Sequence, residues 1–250
     1  MNTRKLRKAI LTLCSALLLV SLSVGATLAY LTSTDTVVNT FTVGQVEITL
    51  DEADVWEVTD FGEGEKVDEA KLGTEKANAD RVKANKYKIM PGHNLDKDPT
   101  VHVQANSEDC YVRAFVTVNN FSDLKKILGS TTDDEAATAI ATYATGYDAQ
   151  KWTANDWTIE NDEVTYEFRW TEMVKQSTFI QDLVLFTDIT VPSTLKNEDI
   201  VLLGDSDTTD SEDDGLKITV IAQAVQADGF VDADGKTAME AAWEAWPTNN

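Results

Sequence analysis

The run that decides the fold is residues 111–119, YVRAFVTVN. Alternate residues of an extended strand point to opposite faces. One face then carries Val112, Ala114, Val116 and Val118, and the other carries Tyr111, Arg113, Phe115 and Thr117. Bulky side chains on both faces are typical of a strand in the middle of a sheet, so we predict a central strand here.

Other alternating apolar runs predict further strands on both sides of this one. They are residues 99–106, 157–159, 164–170, 183–191 and 216–227. The break between 99–106 and the central strand includes only three polar residues, 107–109, so we expect a hairpin there. Residues 160–163, ENDE, lie between the runs 157–159 and 164–170 and predict a second hairpin. Many short strands with few helical stretches predict a mainly β fold, an antiparallel β-sandwich with helical insertions. Its predicted core contains Val101, Val103, Val112, Val116, Ile218 and Val220.

Residues 1–29 have the three parts of an export signal. A basic start is followed by residues 9–34, which contain no charged residue and end in small side chains. Such a segment enters the membrane with its basic end on the cytoplasmic side. The small side chains of Thr27 and Ala29 suit a signal peptidase, which predicts cleavage between Ala29 and Tyr30. The alternative is a membrane anchor that stays uncleaved, because about 20 apolar residues span a bilayer.

Removal of the signal leaves residues 30–250 as one predicted domain. Within it, residues 51–88 are rich in Asp, Glu, Lys and Ala, and residues 121–160 include an Ala-rich helical pattern. We predict that both stretches are insertions or long loops on the sandwich.

The strongly negative net charge excludes some classes of binding partner. The chain has 21 Lys+Arg and 43 Asp+Glu, a net charge of −22. Residues 1–29 hold four of the basic and none of the acidic residues, so the mature chain carries 17 minus 43, or −26. This charge repels nucleic acid and anionic membrane surfaces, and it keeps a secreted protein soluble. We predict no nucleic-acid partner.

Few residues of the types used in catalysis are present. The two histidines, His93 and His102, are nine positions apart and belong to no HExxH pattern. Cys110 is the one cysteine of the mature chain, so no disulfide forms within it. We predict a buried, unreactive Cys110 and no catalytic residues, cofactor or zinc site.

Calcium is the one metal that the acidic residues suggest. Asp228, Asp232 and Asp234 resemble a fragment of a calcium loop, and residues 205–214 form a second acidic run. The spacing of a complete EF-hand loop would place acids where Phe230 and Ala241 stand. An acidic turn before a helix explains the same residues.

Three segments resemble the TasA/camelysin family, which is exported from Gram-positive bacteria. The first is GATLAYLTSTDTVVNTFTVGQVEITL at residues 25–50. The second is PGHNLDKDPTVHVQANSEDCYVR at residues 91–113. The third comprises ITVIAQAVQADGF and AAWEAW near the end of the chain. The stretches 51–88 and 121–215 carry no such likeness.

The resemblance implies a jelly-roll-like sandwich exported through the secretion translocon and cut by a SipW-type signal peptidase. It also implies an extracellular or cell-surface location and a role in fibres or a biofilm matrix. The protein would then associate with itself or with related matrix subunits. The alternatives are a camelysin-like surface metalloendopeptidase and a surface adhesin or glycan binder. Residues 30–39, rich in Thr and Val, are predicted to pair as a strand with another subunit. The alternative is a frayed chain end that has no strand partner.

Overall fold

A computed structural model describes residues 45–62, 65–203, 215–232 and 235–245. The predicted signal, its cleavage site and the segment 30–39 lie outside these ranges. The strands are β1 (Ile48–Ala53), β2 (Arg81–Val82), β3 (Asn94–Asp96), β4 (Thr100–Val103), β5 (Cys110–Val118), β6 (Ala144–Thr145), β7 (Trp152–Glu160), β8 (Glu163–Trp170), β9 (Gln181–Val184), β10 (Asp188–Thr190) and β11 (Ile218–Gln226). The α-helices are α1 (Phe121–Leu128), α2 (Asp133–Ala141), α3 (Asn197–Leu203) and α4 (Ala238–Ala245).

The strands form three antiparallel sheets. Sheet I has the order β2–β1–β4–β9, and sheet II has the order β11–β5–β8–β7. A small sheet III has the order β3–β10–β6. The predicted central position of the strand at residues 111–119 is confirmed, because β5 lies between β11 and β8.

The main core lies between sheets I and II. Val101 and Val103 of β4 pack in one cluster with Val112 and Val116 of β5, and all four are buried. Ile218 and Val220 of β11 are half-buried and pack against the same cluster. The predicted mainly β sandwich and its core residues are therefore confirmed. The jelly-roll strand order stays a prediction.

The predicted hairpin between residues 99–106 and 111–119 is wrong. β4 pairs with β1 and β9 in sheet I, whereas β5 pairs with β11 and β8 in sheet II. The link turns at Asn106, which has a positive φ of 66°. Ser107 then ties the link to β1, since its hydroxyl bonds both the amide and the carbonyl of Glu47. Crossing between sheets lets the apolar faces of β4 and β5 cover each other, which neighbours in one sheet could not do.

The run 183–191 also differs from prediction, because it contributes to two strands in different sheets. β9 ends at Val184 in sheet I, and β10 begins at Asp188 in sheet III. Leu185 and Phe186 between them are buried in the main core. The sequence favours one strand here because no glycine or proline marks the break between β9 and β10.

The hairpin predicted at residues 160–163 is confirmed, because β7 and β8 pair on either side of Asn161 and Asp162. Asn161 and Asp162 both have positive φ, 52° and 64°, as a two-residue type I′ turn requires. Asn and Asp tolerate this conformation better than most residues.

Cys110 is fully buried and makes no disulfide. Burial, with a smaller contribution from the negative charge of Asp109, raises the pKa of its thiol to about 11. A thiol with this pKa stays protonated near neutral pH, so Cys110 acts as a small apolar core residue.

Candidate functional site

Among the residues that the structure describes, strand β11 is an edge of sheet II. Over the described residues its nine positions pair in unbroken register with β5 and with no other strand. The strand, ITVIAQAVQ, contains no charged residue and no proline. The side chain of Ile221 in its middle is 52% exposed. A long, regular, uncharged edge is the kind that accepts another strand.

The other edges of the two large sheets carry features that discourage pairing. β7 is interrupted by a register shift between Ala154 and Trp157. β9 has four residues and includes Asp182, and β2 has two residues and includes Arg81. Charges, bulges and short length are the means by which proteins protect sheet edges. β11 is thus the edge best suited to strand addition in the described part of the chain.

A cleft opens between sheets I and II near the start of β11. Its volume is about 1120 Å³. Apolar side chains from both sheets and from the helices line its body, among them Val118, Leu124, Ile140, Phe168, Ile189 and Ile218. The segment 83–89 and the start of β11 line it as well.

One wall of the cleft contains a buried ion pair. The ammonium of Lys97 bonds Glu52, and these two residues are 9% and 5% exposed. Asn85 adds two hydrogen bonds to Glu52 Oε1, from its side-chain nitrogen at 2.9 Å and from its amide at 3.1 Å. The Lys97 ammonium also lies 5.5 Å from the ring centre of Tyr87. Burial, followed by the nearby charge of Glu52, raises the pKa of the Tyr87 hydroxyl, so that group stays neutral.

His102 is held between two aspartates on the outer side of sheet I. Its Nε2 lies 2.8 Å from Asp51 Oδ1, and its Nδ1 lies 2.6 Å from Asp182 Oδ1. Burial opposes its charged form, but the hydrogen bonds to the two carboxylates outweigh burial and raise the pKa of His102. Asp51 also accepts from Arg81 Nε at 2.7 Å. The cluster is therefore a structural ion network in which both histidine nitrogens are engaged.

The other predicted site residues do not meet in one place. His93 is half-buried in the turn before β3, where its amide donates to the carbonyl of Met90. Asp228 is exposed. Asp232 Oδ1 accepts from the amide of Ala238 at the start of α4, at 2.7 Å. Asp234 and the acidic run 205–214 lie outside the described residues.

Sequence reasoning missed the two cations that are buried among the described residues, Lys97 and Arg113. Period-two alternation was an available signal for both. Leu95 is buried two positions before Lys97, and Arg113 lies between the buried Tyr111 and the half-buried Phe115 on one face of β5. The guanidinium of Arg113 lies 5.0 Å from the ring centre of Phe115 and 4.7 Å from that of Trp243. Helix α4, which carries Trp243, thus covers this part of the outer face of sheet II.

Within the described ranges, these features define the class as a β-sandwich with one unprotected edge in its two large sheets and an apolar cleft beside it. A family model described as camelysin metallo-endopeptidase matches residues 3–73 of the 250. The match confirms the resemblance to the TasA/camelysin family over that part of the chain, and it supports a secreted surface or matrix protein in general. Neither a search of curated proteins nor a search of solved structures found a match. No helix within the described ranges has the length and apolar character needed to cross a membrane.

The described residues do not fit the metal that a metallo-endopeptidase requires. Zinc in such enzymes is held by a cluster of His, Cys, Asp or Glu side chains with an open position for water. No group of three or more of these side chains is placed to hold a metal ion within the described ranges. His102 directs both ring nitrogens at aspartates, which suits a protonated imidazole and not a zinc ligand. We therefore derive no metal-dependent step for this chain.

Proposed function

We propose that this protein is an exported subunit of an extracellular fibre or biofilm matrix that assembles by strand addition at β11. The observation that carries the proposal is the β11 edge, which has no second neighbour among the described residues: nine residues in regular register with β5, without charge, proline or bulge. Such an edge leaves a row of backbone donors and acceptors for a strand of another chain. The family match at residues 3–73 supports export and a surface or matrix location.

The strand that adds to this edge would come from residues 30–39 of a second subunit. This segment, YLTSTDTVVN, has a single charged residue, Asp35, and is rich in β-favouring Thr and Val. It becomes a free end once a SipW-type peptidase cuts between Ala29 and Tyr30. Assembly would then be delayed until export, because the signal ties this end to the membrane before cleavage.

Export is tested by sequencing the N-terminus of the protein recovered from the culture medium. We expect it to begin at Tyr30. A start well beyond Thr34, or recovery of the chain in the membrane fraction with Met1 retained, would exclude this cleavage site.

The donor segment is tested by comparing the mature protein with a form that lacks residues 30–39. Electron microscopy and light scattering should show filaments for the mature protein and a folded monomer for the shortened one. The circular dichroism of the two forms should agree over the β-sheet region. Equal filament formation by both forms would exclude the segment as the donor.

The acceptor edge is tested with a lysine in place of Ile221. A charge on an edge strand discourages pairing. Ile221 is 52% exposed, so Ile221→Lys should fold normally and stay monomeric. The matched control is Val184→Lys on β9, an edge strand of sheet I, where the side chain is 39% exposed. The control should still form filaments, and filaments from Ile221→Lys would remove β11 from the proposal.

A further inference from the structure

We propose that Lys97 and Asn85 form an intramolecular isopeptide bond, with Glu52 as the acid–base group of the reaction. The lysine amine, the carboxylate and the side-chain amide meet at one place, although Glu52 is 33 positions from Asn85 and 45 from Lys97. This inference is independent of assembly at the β11 edge. It rests on the arrangement of the three side chains, on their burial and on the hydrogen bonds of the Asn85 amide.

Glu52 holds the two reacting groups side by side on a single carboxylate. The Lys97 ammonium bonds Glu52 Oε2, and the side-chain nitrogen of Asn85 donates to Glu52 Oε1 at 2.9 Å. The backbone amide of Asn85 also donates to Oε1, at 3.1 Å, which fixes this residue on the glutamate. Because both oxygens belong to one carboxylate carbon, the lysine nitrogen and the asparagine amide are neighbours. Holding two reactants together removes much of the entropic cost of their encounter.

Burial favours the uncharged groups that the reaction needs. Lys97 is 9% exposed and Glu52 is 5% exposed, and the neighbouring residues Ala53 and Val55 are buried as well. Transfer of the lysine proton to Glu52 turns two buried charges into two neutral groups, which an apolar environment favours. The lysine is then a neutral amine, the form that attacks a carbonyl carbon. The ring of Tyr87, whose centre is 5.5 Å from the lysine nitrogen, covers it on one side.

The Asn85 amide has the hydrogen bonds that attack on its carbon requires. Its oxygen, Oδ1, accepts from the backbone amide of Val55 at 3.2 Å. This donor would stabilise the negative charge that develops on Oδ1 when the carbon is attacked. Its nitrogen, Nδ2, donates to Glu52 and, at 2.9 Å, to the carbonyl of Ala53. The leaving nitrogen therefore lies against the group that would protonate it.

The reaction exchanges one amide for another and consumes no oxidant or cofactor. Lys97 gives a proton to Glu52, and its nitrogen then forms a bond to Cγ of Asn85. The bond between Cγ and Nδ2 breaks. Of the three protons on the lysine ammonium, one stays in the new amide and two pass to Nδ2 by way of Glu52. Ammonium is released, and Glu52 is again a carboxylate.

The bond would close the loop of residues 85–97 and attach the segment before β3 to the start of β4. Exported proteins commonly gain such constraints from disulfides. Cys110 is the one cysteine after the predicted cleavage site, so a disulfide within the mature chain is excluded. The isopeptide bond would restrict the unfolded chain in the same way. The buried position would also keep water away from the reacting groups.

The bond is tested by mass spectrometry of the intact protein recovered from the culture medium. We expect a mass that is one ammonia lower than the sequence mass counted from the observed N-terminus. After trypsin digestion, the peptide that begins at Ala84 should be joined to residues 89–113, because trypsin does not cut after an acylated Lys97. The full sequence mass in the folded protein would overturn the proposal. Lys97 and Glu52 would then be an ordinary buried ion pair.

The roles of the residues are tested with variants whose folding is checked by circular dichroism. Lys97→Met removes the nucleophile and should show no loss of ammonia. Glu52→Gln keeps the shape of the side chain without its acid–base function, and it should reduce the cross-linked fraction at least about tenfold. The matched control is Lys76→Met, because Lys76 also pairs with an acid, Asp54, at 3.0 Å. This control should lose ammonia as the wild type does.

A second reaction also releases ammonia and is separated by the same variants. The side chain of Asn85 would form a succinimide if the backbone nitrogen of Lys86 attacked it. That product contains no link to Lys97, so its ammonia loss would persist in Lys97→Met and no joined tryptic peptides would appear. Either result would overturn the proposal. The wild-type peptide map decides between the two products without any variant, so a variant that fails to fold leaves the test intact.

Discussion

Arg113 of the central strand β5 and Gln223 of the edge strand β11 are joined by two hydrogen bonds. Arg113 donates from Nε at 2.9 Å and from Nη2 at 2.7 Å to Gln223 Oε1. The two residues face each other on β5 and β11. Arg113 is 2% exposed, and burial lowers the pKa of its guanidinium. A side chain on the proposed acceptor strand therefore stabilises a buried cation.

We predict that Gln223→Leu destabilises the protein by about 1–3 kcal/mol, because the buried guanidinium loses an acceptor of two hydrogen bonds. Urea unfolding followed by tryptophan fluorescence measures the change. The matched control is Gln176→Leu, whose side chain is exposed and should alter stability little. Equal unfolding midpoints for wild type and Gln223→Leu would show that the pair contributes nothing.

The His102 cluster predicts a pH dependence of stability. Its pKa is raised in the folded protein, so the protonated form is favoured by folding. This contribution is fully present below the unfolded pKa, about 6.5, and is lost as pH rises through the folded value. The free energy of unfolding should therefore fall as pH rises above about 6.5.

The His102→Gln variant provides the comparison for this pH effect. Above about pH 6.5, its free energy of unfolding should not show the decrease that deprotonation of His102 causes in the wild type. Urea titrations of both proteins between about pH 5.5 and 8.5 measure the difference. Parallel profiles over that interval would show that His102 does not titrate with a raised pKa.

The core between the sheets predicts a cost for removing a single side chain. Val116 is 7% exposed and packs in the main cluster, so Val116→Ala should cost about 1–4 kcal/mol. The control is Val231→Ala, a matched substitution at a side chain that is 68% exposed, which should change stability by less than about 0.5 kcal/mol. Chemical unfolding of both variants tests the assignment, and a silent Val116→Ala would contradict it.

We also predict that the domain folds without a bound metal. The sandwich rests on the apolar contacts between sheets I and II, and within the described ranges no cluster of ligating side chains connects its elements. The midpoint of thermal unfolding should be the same with excess EDTA and with added calcium or zinc. A fall of several degrees in EDTA, restored by one of these metals, would identify a structural site that the prediction lacks.

The sequence by itself determined the features that depend on local periodicity. Alternating side chains identified the strands, the central place of β5 and the buried valines Val101 and Val112. Asn161 and Asp162 marked the β7–β8 turn, because few residue pairs accept two positive φ angles. These signals are reliable because a period of two places alternate side chains on opposite faces, whatever the partner strand is.

The tertiary structure alone decided which strands pair, where the segment 183–191 divides into two strands and which charges are buried. The local sequence between β4 and β5 predicts a hairpin. The connection instead crosses between sheets, because the apolar faces of the two strands are buried by packing against each other. Lys97 finds Glu52 at a separation of 45 positions, and Arg113 finds Gln223 at a separation of 110. A charge is stable in the interior only when a partner is brought to it. No local pattern contains that partner, so these pairs and the β11 edge arise only when strands that are distant in sequence pair, and the cleft arises only when the two sheets come together.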